Sequence, residues 1–232
     1  MSDGTDARVD ACWHVCYHDG DVARVQSFLD QGVNINERAP CSGAAPLDAA
    51  IFGDHLPLVR YLIQRGADAN GVGYGDNTAL MAAANQGNSE VVELLLNEGA
   101  DPNLASPVTG ETPLHASTSH AYKEGMLDCV RLLLSVGANP NVKTKADIPT
   151  DRYYRDTRLV GETPLHLAAA YGDEEMIRSL LQAGADPSIR DDRGDSALTW
   201  FSRHRRNVSH VVVPREAGSM LAPDNVDEPH GR

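Results

Sequence analysis

Aromatic residues make up only 5% of this 232-residue chain. A core organised around large rings is thereby excluded, and the apolar 41% has to pack mainly as Leu, Ala, Val and Ile. No apolar run approaches the roughly 20 residues that a membrane helix needs. The opening MSDGTDARVD lacks the basic and apolar regions of a secretory signal, so none is expected. Cysteine is sparse, and Cys12, Cys16, Cys41 and Cys129 show no framework spacing. A reduced, cytoplasmic setting is expected. Positive charge is also short: the net charge is −13, and residues 1–142 hold seven Lys and Arg against eighteen Asp and Glu. That balance excludes a general nucleic-acid binder, because phosphate contacts need clustered cations. It suits a partner with a basic surface, and equally a surface that only keeps the chain soluble.

What the chain does have is repetition. The stretches ACWH (11–14), APLD (45–48), TALM (78–81), TPLH (112–115), TPLH (163–166) and SALT (196–199) start 34, 33, 34, 51 and 33 residues apart. A second marker follows in phase: FLDQGVNIN, LIQRGADAN, LLNEGADPN, LLSVGANPN and LLQAGADPS, centred on Gly32, Gly66, Gly99, Gly137 and Gly184. The spacing from the first marker to this glycine is 21 residues in four units and 25 in the fourth.

Each unit reads as helix, turn, helix and loop. Thr163 can cap a helix, and Pro164 at its first position gives up only a donor that had no partner. Leu165, Ala168 and Ala169 share a face, and the alanines permit close helix approach. Gly172-Asp173 breaks that helix, and Glu174 and Glu175 favour the positive end of the next. Met176, Ile177, Leu180 and Leu181 give the second helix an apolar stripe, and Gly184 stops it. Two such helices cannot bury their apolar faces alone, so units must stack.

The period and the T-P-L-H-x-A pattern resemble the ankyrin repeat over residues from about 10 to 206. The resemblance implies an all-α ankyrin-repeat solenoid of about six helix-turn-helix repeats with short hairpin-like loops. The expected order is an N-terminal extension (1–9) and then repeats at about 10–40, 41–73, 74–107, 108–142, 159–191 and 192–206. An insertion (143–160) interrupts them, and a disordered tail (207–232) follows. Two insertions depart from the period. Repeat four carries four extra residues within 115–128. The segment KTKADIPTDRYYRDTRLV (143–160) is expected to be an extended finger with Pro149-Thr150-Asp151 near its tip, and its residues 144–158 to be removable without loss of core side chains. Its Arg152, Tyr153, Tyr154 and Arg155 are residue types enriched in interface hot spots. A solvated loop is the bland alternative.

In ankyrin proteins the partner usually meets the concave face. By that resemblance the contact positions are Phe52 in repeat two, Tyr74, Asn77, Asn85 and Gln86 in repeat three, and Glu111, Ser119 and His120 in repeat four. Glu162 and Tyr171 follow in repeat five and Arg193, Asp195, Arg203 and His204 in repeat six, with Tyr122 joining from the smaller insertion. A non-catalytic module binding one protein partner as a monomer is expected, with no cofactor, nucleic acid or membrane. The competing reading is an enzyme or small-ligand protein built on His120, Glu111 and Glu162 near Tyr122.

Other chemistry reads as structure. Cys12, His14, Cys16 and His18 are zinc-ligand types, but His14 falls in the histidine slot of the repeat and Cys16 in a core-facing alanine slot. No metal site is expected there. The resemblance makes His115 and His166 backbone-bonding motif residues. Some ankyrin proteins are hydroxylated on the turn asparagine, and Asn70 and Asn103 resemble that pattern.

Overall fold

A computed structural model describes residues 3–120, 123–149, 158–205 and 220–222. The first helices of the units are α1 (Asp3–His14, continued by a π-helical turn, Val15–Asp19), α3 (Pro46–Phe52), α5 (Ala79–Gln86), α7 (Pro113–Ser119), α9 (Pro164–Tyr171) and α11 (Ala197–Arg205). The second helices are α2 (Val22–Asp30), α4 (Leu56–Gln64), α6 (Ser89–Asn97), α8 (Met126–Ser135) and α10 (Glu174–Gln182). Each first helix packs on the next first helix and each second helix on the next second helix, giving two parallel layers. The apolar stripes meet between the layers. Leu47, Leu80, Leu114 and Leu165 occupy one slot in successive units, and all are buried.

The core follows the small-residue rule of the sequence with one polar exception. Ala83 and Ala84, or Ala168 and Ala169, stand where repeat four has Ser117 and Thr118. Both hydroxyls are fully buried and donate back to the Leu114 carbonyl at 3.0 Å, so neither is left as an orphan donor.

Helix starts use the residue types expected of them. Thr78 Oγ1 accepts from Met81 N–H at 3.1 Å. Asp21, Asn88 and Asp173 cap α2, α6 and α10 in the same manner. Thr112 and Thr163 close capping boxes in which a histidine takes the role usually played by Glu or Gln. Thr163 N–H and its hydroxyl lie 3.2 and 2.8 Å from Nδ1 of His166.

The first unit departs from its expected form. Its first helix begins at Asp3 rather than near Ala11, and Val9 is buried in the core. The segment read as an extension therefore belongs largely to the helix. His14 sits at the end of α1, not three residues into a capped helix, and its side chain is exposed.

The smaller insertion is accommodated by two glycines. Gly87 and Gly125 both have positive φ, at 76° and 77°. A Cβ on Gly125 would lie 2.1 Å from the Gly87 carbonyl oxygen, and one on Gly87 would lie 2.4 Å from the Glu124 carbonyl oxygen. Bare backbone on both sides lets the turn of repeat four dock on that of repeat three.

The larger insertion starts and ends as an antiparallel pair, β1 (Ala146–Pro149) and β2 (Arg158–Val160), with Ala146 opposite Val160 and Pro149 opposite Arg158. Pro149 is thus paired strand rather than tip. At the other end, Leu221 is buried in the hydrophobic core, so the expected disordered tail contributes at least this side chain to packing.

Candidate functional site: the first-helix row and the hairpin base

Three sets of bonds lock the units together and so fix where surface residues stand. Turn asparagines form the first. Asn36 Oδ1 accepts from Asp68 N–H at 2.8 Å, Asn70 from Asp101, Asn103 from Asn139 and Asn141 from Asp186, all at 2.8 Å. Asn70, Asn103 and Asn141 also donate from Nδ2 to the carbonyls of Gly99, Gly137 and Gly184. The side-chain amides of Asn70 and Asn103, the modification candidates, are committed at both ends. The recurring GADxN letters were the visible signal of this ladder.

The motif histidines form the second. His115 Nε2 meets the Glu162 carbonyl at 3.3 Å, and His166 Nε2 meets the Asp195 carbonyl at 3.1 Å. Because Nδ1 of each accepts a backbone N–H, the proton belongs on Nε2, and the rings are neutral. Burial holds His115 down to about pKa 4 and lowers that of His166 too, against the bonds to the two carbonyls. Asp48 fills the histidine slot of repeat two. Its Oδ2 accepts from Ala45 N–H at 3.0 Å, yet burial outweighs this bond and pushes its pKa up to about 6.

The third set closes the large insertion. Glu162 is 3% exposed, and its Oε2 accepts from Thr144 Oγ1 and Val160 N–H, each at 2.9 Å. Lys145 N–H donates to the Thr109 carbonyl at 2.8 Å, and Asp192 N–H to the Val160 carbonyl at 2.7 Å. Lys143 pairs with Asp192 at 2.8 Å. The base is thus tied to the loops on both sides, and with Thr144 and Leu159 buried it is part of the core. Removing 144–158 would leave Leu159 in place but take away the buried Thr144 that bonds Glu162, so the deletion opens the clip at the base of the insertion.

Glu162 is the clear correction among the contact residues. Its carboxylate closes the hairpin and does not line a groove, which also takes it out of the proposed catalytic trio. The ankyrin resemblance marked Glu162, next to Thr163, as a contact position, but could not show that Thr144 and Val160 would need an acceptor there.

The others fall into three groups. Tyr171 is 47% exposed, and Asn85, Arg193 and Arg203 are exposed as well. Phe52, Asn77, Gln86, Glu111, Ser119, His120 and Asp195 are partly buried. Several of these touch: Gln86 Nε2 donates to the Phe52 carbonyl at 3.4 Å, Ser119 Oγ lies 3.2 Å from His120 Nδ1, and Arg203 pairs with Asp195 at 2.7 Å. Partial burial lowers the His120 pKa, helped by the charge of Lys123. Tyr122, Arg152, Tyr153, Tyr154 and Arg155, and the side chains of Tyr74 and His204, lie outside the described residues.

Beside the helix turns runs a depression of about 590 Å³ whose lining includes Asp54, Glu90, Glu124 and Asp128. Among the described residues, no three His, Cys, Asp or Glu side chains are placed to share a metal ion. No described helix is long and apolar enough to cross a membrane.

Residues 70–144 match the family described as Ankyrin repeats (3 copies), and residues 42–73 and 160–192 match the family described as Ankyrin repeat. The chain belongs to the ankyrin-repeat family. Domains of this family typically mediate protein binding. Ankyrin repeat and SOCS box protein 16 of Mus musculus is 40% identical over 66% of this chain and 30% of its own length. Inversin of Homo sapiens is 28% identical over 83% of this chain and 16% of its own length. This ankyrin chain thus spans less than a third of these curated relatives. A chain in the solved complex of the Bd0816 predatory endopeptidase of Bdellovibrio bacteriovorus with immunity protein Bd3460 shares the fold. Its TM-score is 0.66 at 21% identity, over 91% of this chain and 96% of that one.

Proposed function

We propose that this chain is a non-catalytic protein-interaction module of the cytoplasm that engages one partner protein through its concave first-helix row and the 143–160 insertion. The observation that carries this reading is the hairpin base. Glu162, Lys145 and Asp192 tie the base of the insertion to the flanking repeats, so the insertion is joined to the stack at both ends. Preorganisation of that kind lowers the entropy cost of binding. The exposed Tyr171 and the Arg203–Asp195 pair extend the surface along the later repeats. The net charge of −13 and the carboxylates around Asp54, Glu90 and Asp128 favour a partner with a basic surface. Four free thiols, three of them buried, fit a reducing compartment.

Affinity capture with the whole chain, followed by mass spectrometry, tests the proposal. Wild type is compared with Tyr153→Ala/Tyr154→Ala and with Tyr74→Ala/Tyr171→Ala. A specific partner lost by either double variant supports the assignment, and a partner retained by both removes it.

A further inference from the structure

Repeat two meets repeat three through a carboxyl where two later junctions use a histidine. At those later junctions the ring bonds twice. His115 and His166 each accept the N–H of the cap threonine on Nδ1, and through Nε2 they reach the carbonyls of Glu162 and Asp195 at the end of the next loop. Each of these carbonyls also takes an N–H from its own loop, Thr144 to Glu162 at 3.0 Å and Asp191 to Asp195 at 2.9 Å.

Asp48 stands in the same slot and makes the inward half of this arrangement. Its Oδ2 accepts from Ala45 N–H at 3.0 Å, but an ionised carboxylate has no proton to give outward. The hairpin of repeat three (71–78) nevertheless sits directly on it. Gly73 N–H donates to the Asn77 carbonyl at 2.7 Å, the counterpart of the Thr144 and Asp191 bonds, and Val72 pairs with Thr78. A Cβ on Gly73 would overlap all three atoms of the Asp48 carboxyl, so only bare backbone permits the approach. Asp48 is 5% exposed at this junction.

We infer that Asp48 is a proton-operated latch between repeat two and the 71–78 hairpin: protonated, its carboxyl donates to the Asn77 carbonyl as the histidines do at the later junctions, and ionised it lets that carbonyl go. A carbonyl oxygen has two lone pairs, so the Gly73 bond and the latch can coexist. Burial pushes the Asp48 pKa up to about 6, against the Ala45 N–H and the charge of Arg38. The latch is therefore closed below pH 6 and open above it. Charges on the elements packed against α3 are engaged elsewhere or face solvent. α5 has no ionisable side chain, and Arg60 of α4 pairs with Glu90. On α1 and its π-turn, Asp10 accepts from Cys41 N–H, Asp19 pairs with Arg24, and Asp6, Arg8, His14 and His18 are exposed. Asp76, in the hairpin itself, is partly buried. The consequence for function rests on the partner surface proposed above, whose positions include Tyr74 and Asn77: acid fixes the stretch that carries them.

The test is amide exchange of the full chain followed by NMR at pH 7.5 and pH 5, each rate divided into the unstructured rate at the same pH. In wild type, protection of Gly73 N–H should rise about three- to tenfold in acid, the worth of one added hydrogen bond. Thr144 N–H, at the junction held by His115, should change little. In Asp48→Asn the amide accepts from Ala45 and donates outward at any pH, so Gly73 should show the protection of acid wild type at both values. Equal Gly73 protection at both pH values in wild type, an equal rise at Thr144, or a variant that stays at the wild-type value of pH 7.5 overturns the inference. The chain is measured without a partner, so this result and the partner capture above succeed or fail separately.

Discussion

Replacing Asp48 by Asn should uncover a pH dependence that the wild-type chain conceals. His115 is neutral and fully buried, with its pKa held to about 4 against an ordinary value of 6.5. A base with a depressed folded pKa contributes its full stability above pH 6.5 and loses it as pH falls toward 4. From pH 7 to pH 4.5 that loss is about 2–3 kcal/mol. His166, also lowered, acts in the same direction. Asp48 acts oppositely. Its pKa is raised by burial from 3.8 to about 6, so its contribution is full below pH 3.8 and disappears as pH rises through 6. Acidification from pH 7 to pH 4.5 returns about 2 kcal/mol through this carboxyl. In wild type the Asp48 trend offsets most of the His115 loss, and the His166 loss remains on top of it. Asp48→Asn keeps an acceptor for Ala45 N–H and removes the buried charge. It should raise the urea midpoint at pH 7 and then lose about 2–3 kcal/mol by pH 4.5, where wild type changes far less. Urea titrations followed by far-UV circular dichroism at pH 7, 6, 5 and 4.5 measure both curves. A variant as flat as wild type, or a wild type as steep as the variant, refutes the assignment of opposed buried groups.

Two further outcomes follow from the insertions. Glu162→Leu leaves the Thr144 hydroxyl and Val160 N–H without their acceptor, at a cost of about 1–3 kcal/mol. Hydrogen exchange should speed up at Val160 while amides of α5 and α6 keep their protection, and equal loosening of all three would refute a local clip. Gly125→Ala puts a Cβ against the Gly87 carbonyl at a positive φ, so the expected loss is at least about 1–3 kcal/mol. A melting temperature equal to wild type would show that the turn can shift.

The repeat and its register were legible because they rest on local chemistry. Thr and Pro at helix starts, glycine at the stops and a leucine in every unit recur at a fixed period, and a stacked solenoid is the arrangement that buries them. The paired strands of the insertion were anticipated only as an extended finger, since neither β1 nor β2 has a long alternating pattern. What the sequence left open depends on neighbours from other units. Glu162 became a buried clip because Thr144 and Val160 return to it from across the hairpin. Leu221 joined the core although its own segment carries no helical or strand pattern. The Cys12–His18 cluster was read as structure from the repeat slots alone, and the fold buries its two cysteines and exposes its two histidines. Residue identity and spacing thus determined the fold of this protein. Burial, and the partner each polar group meets, were decided only in the stack, because both depend on atoms that the chain brings together from distant positions.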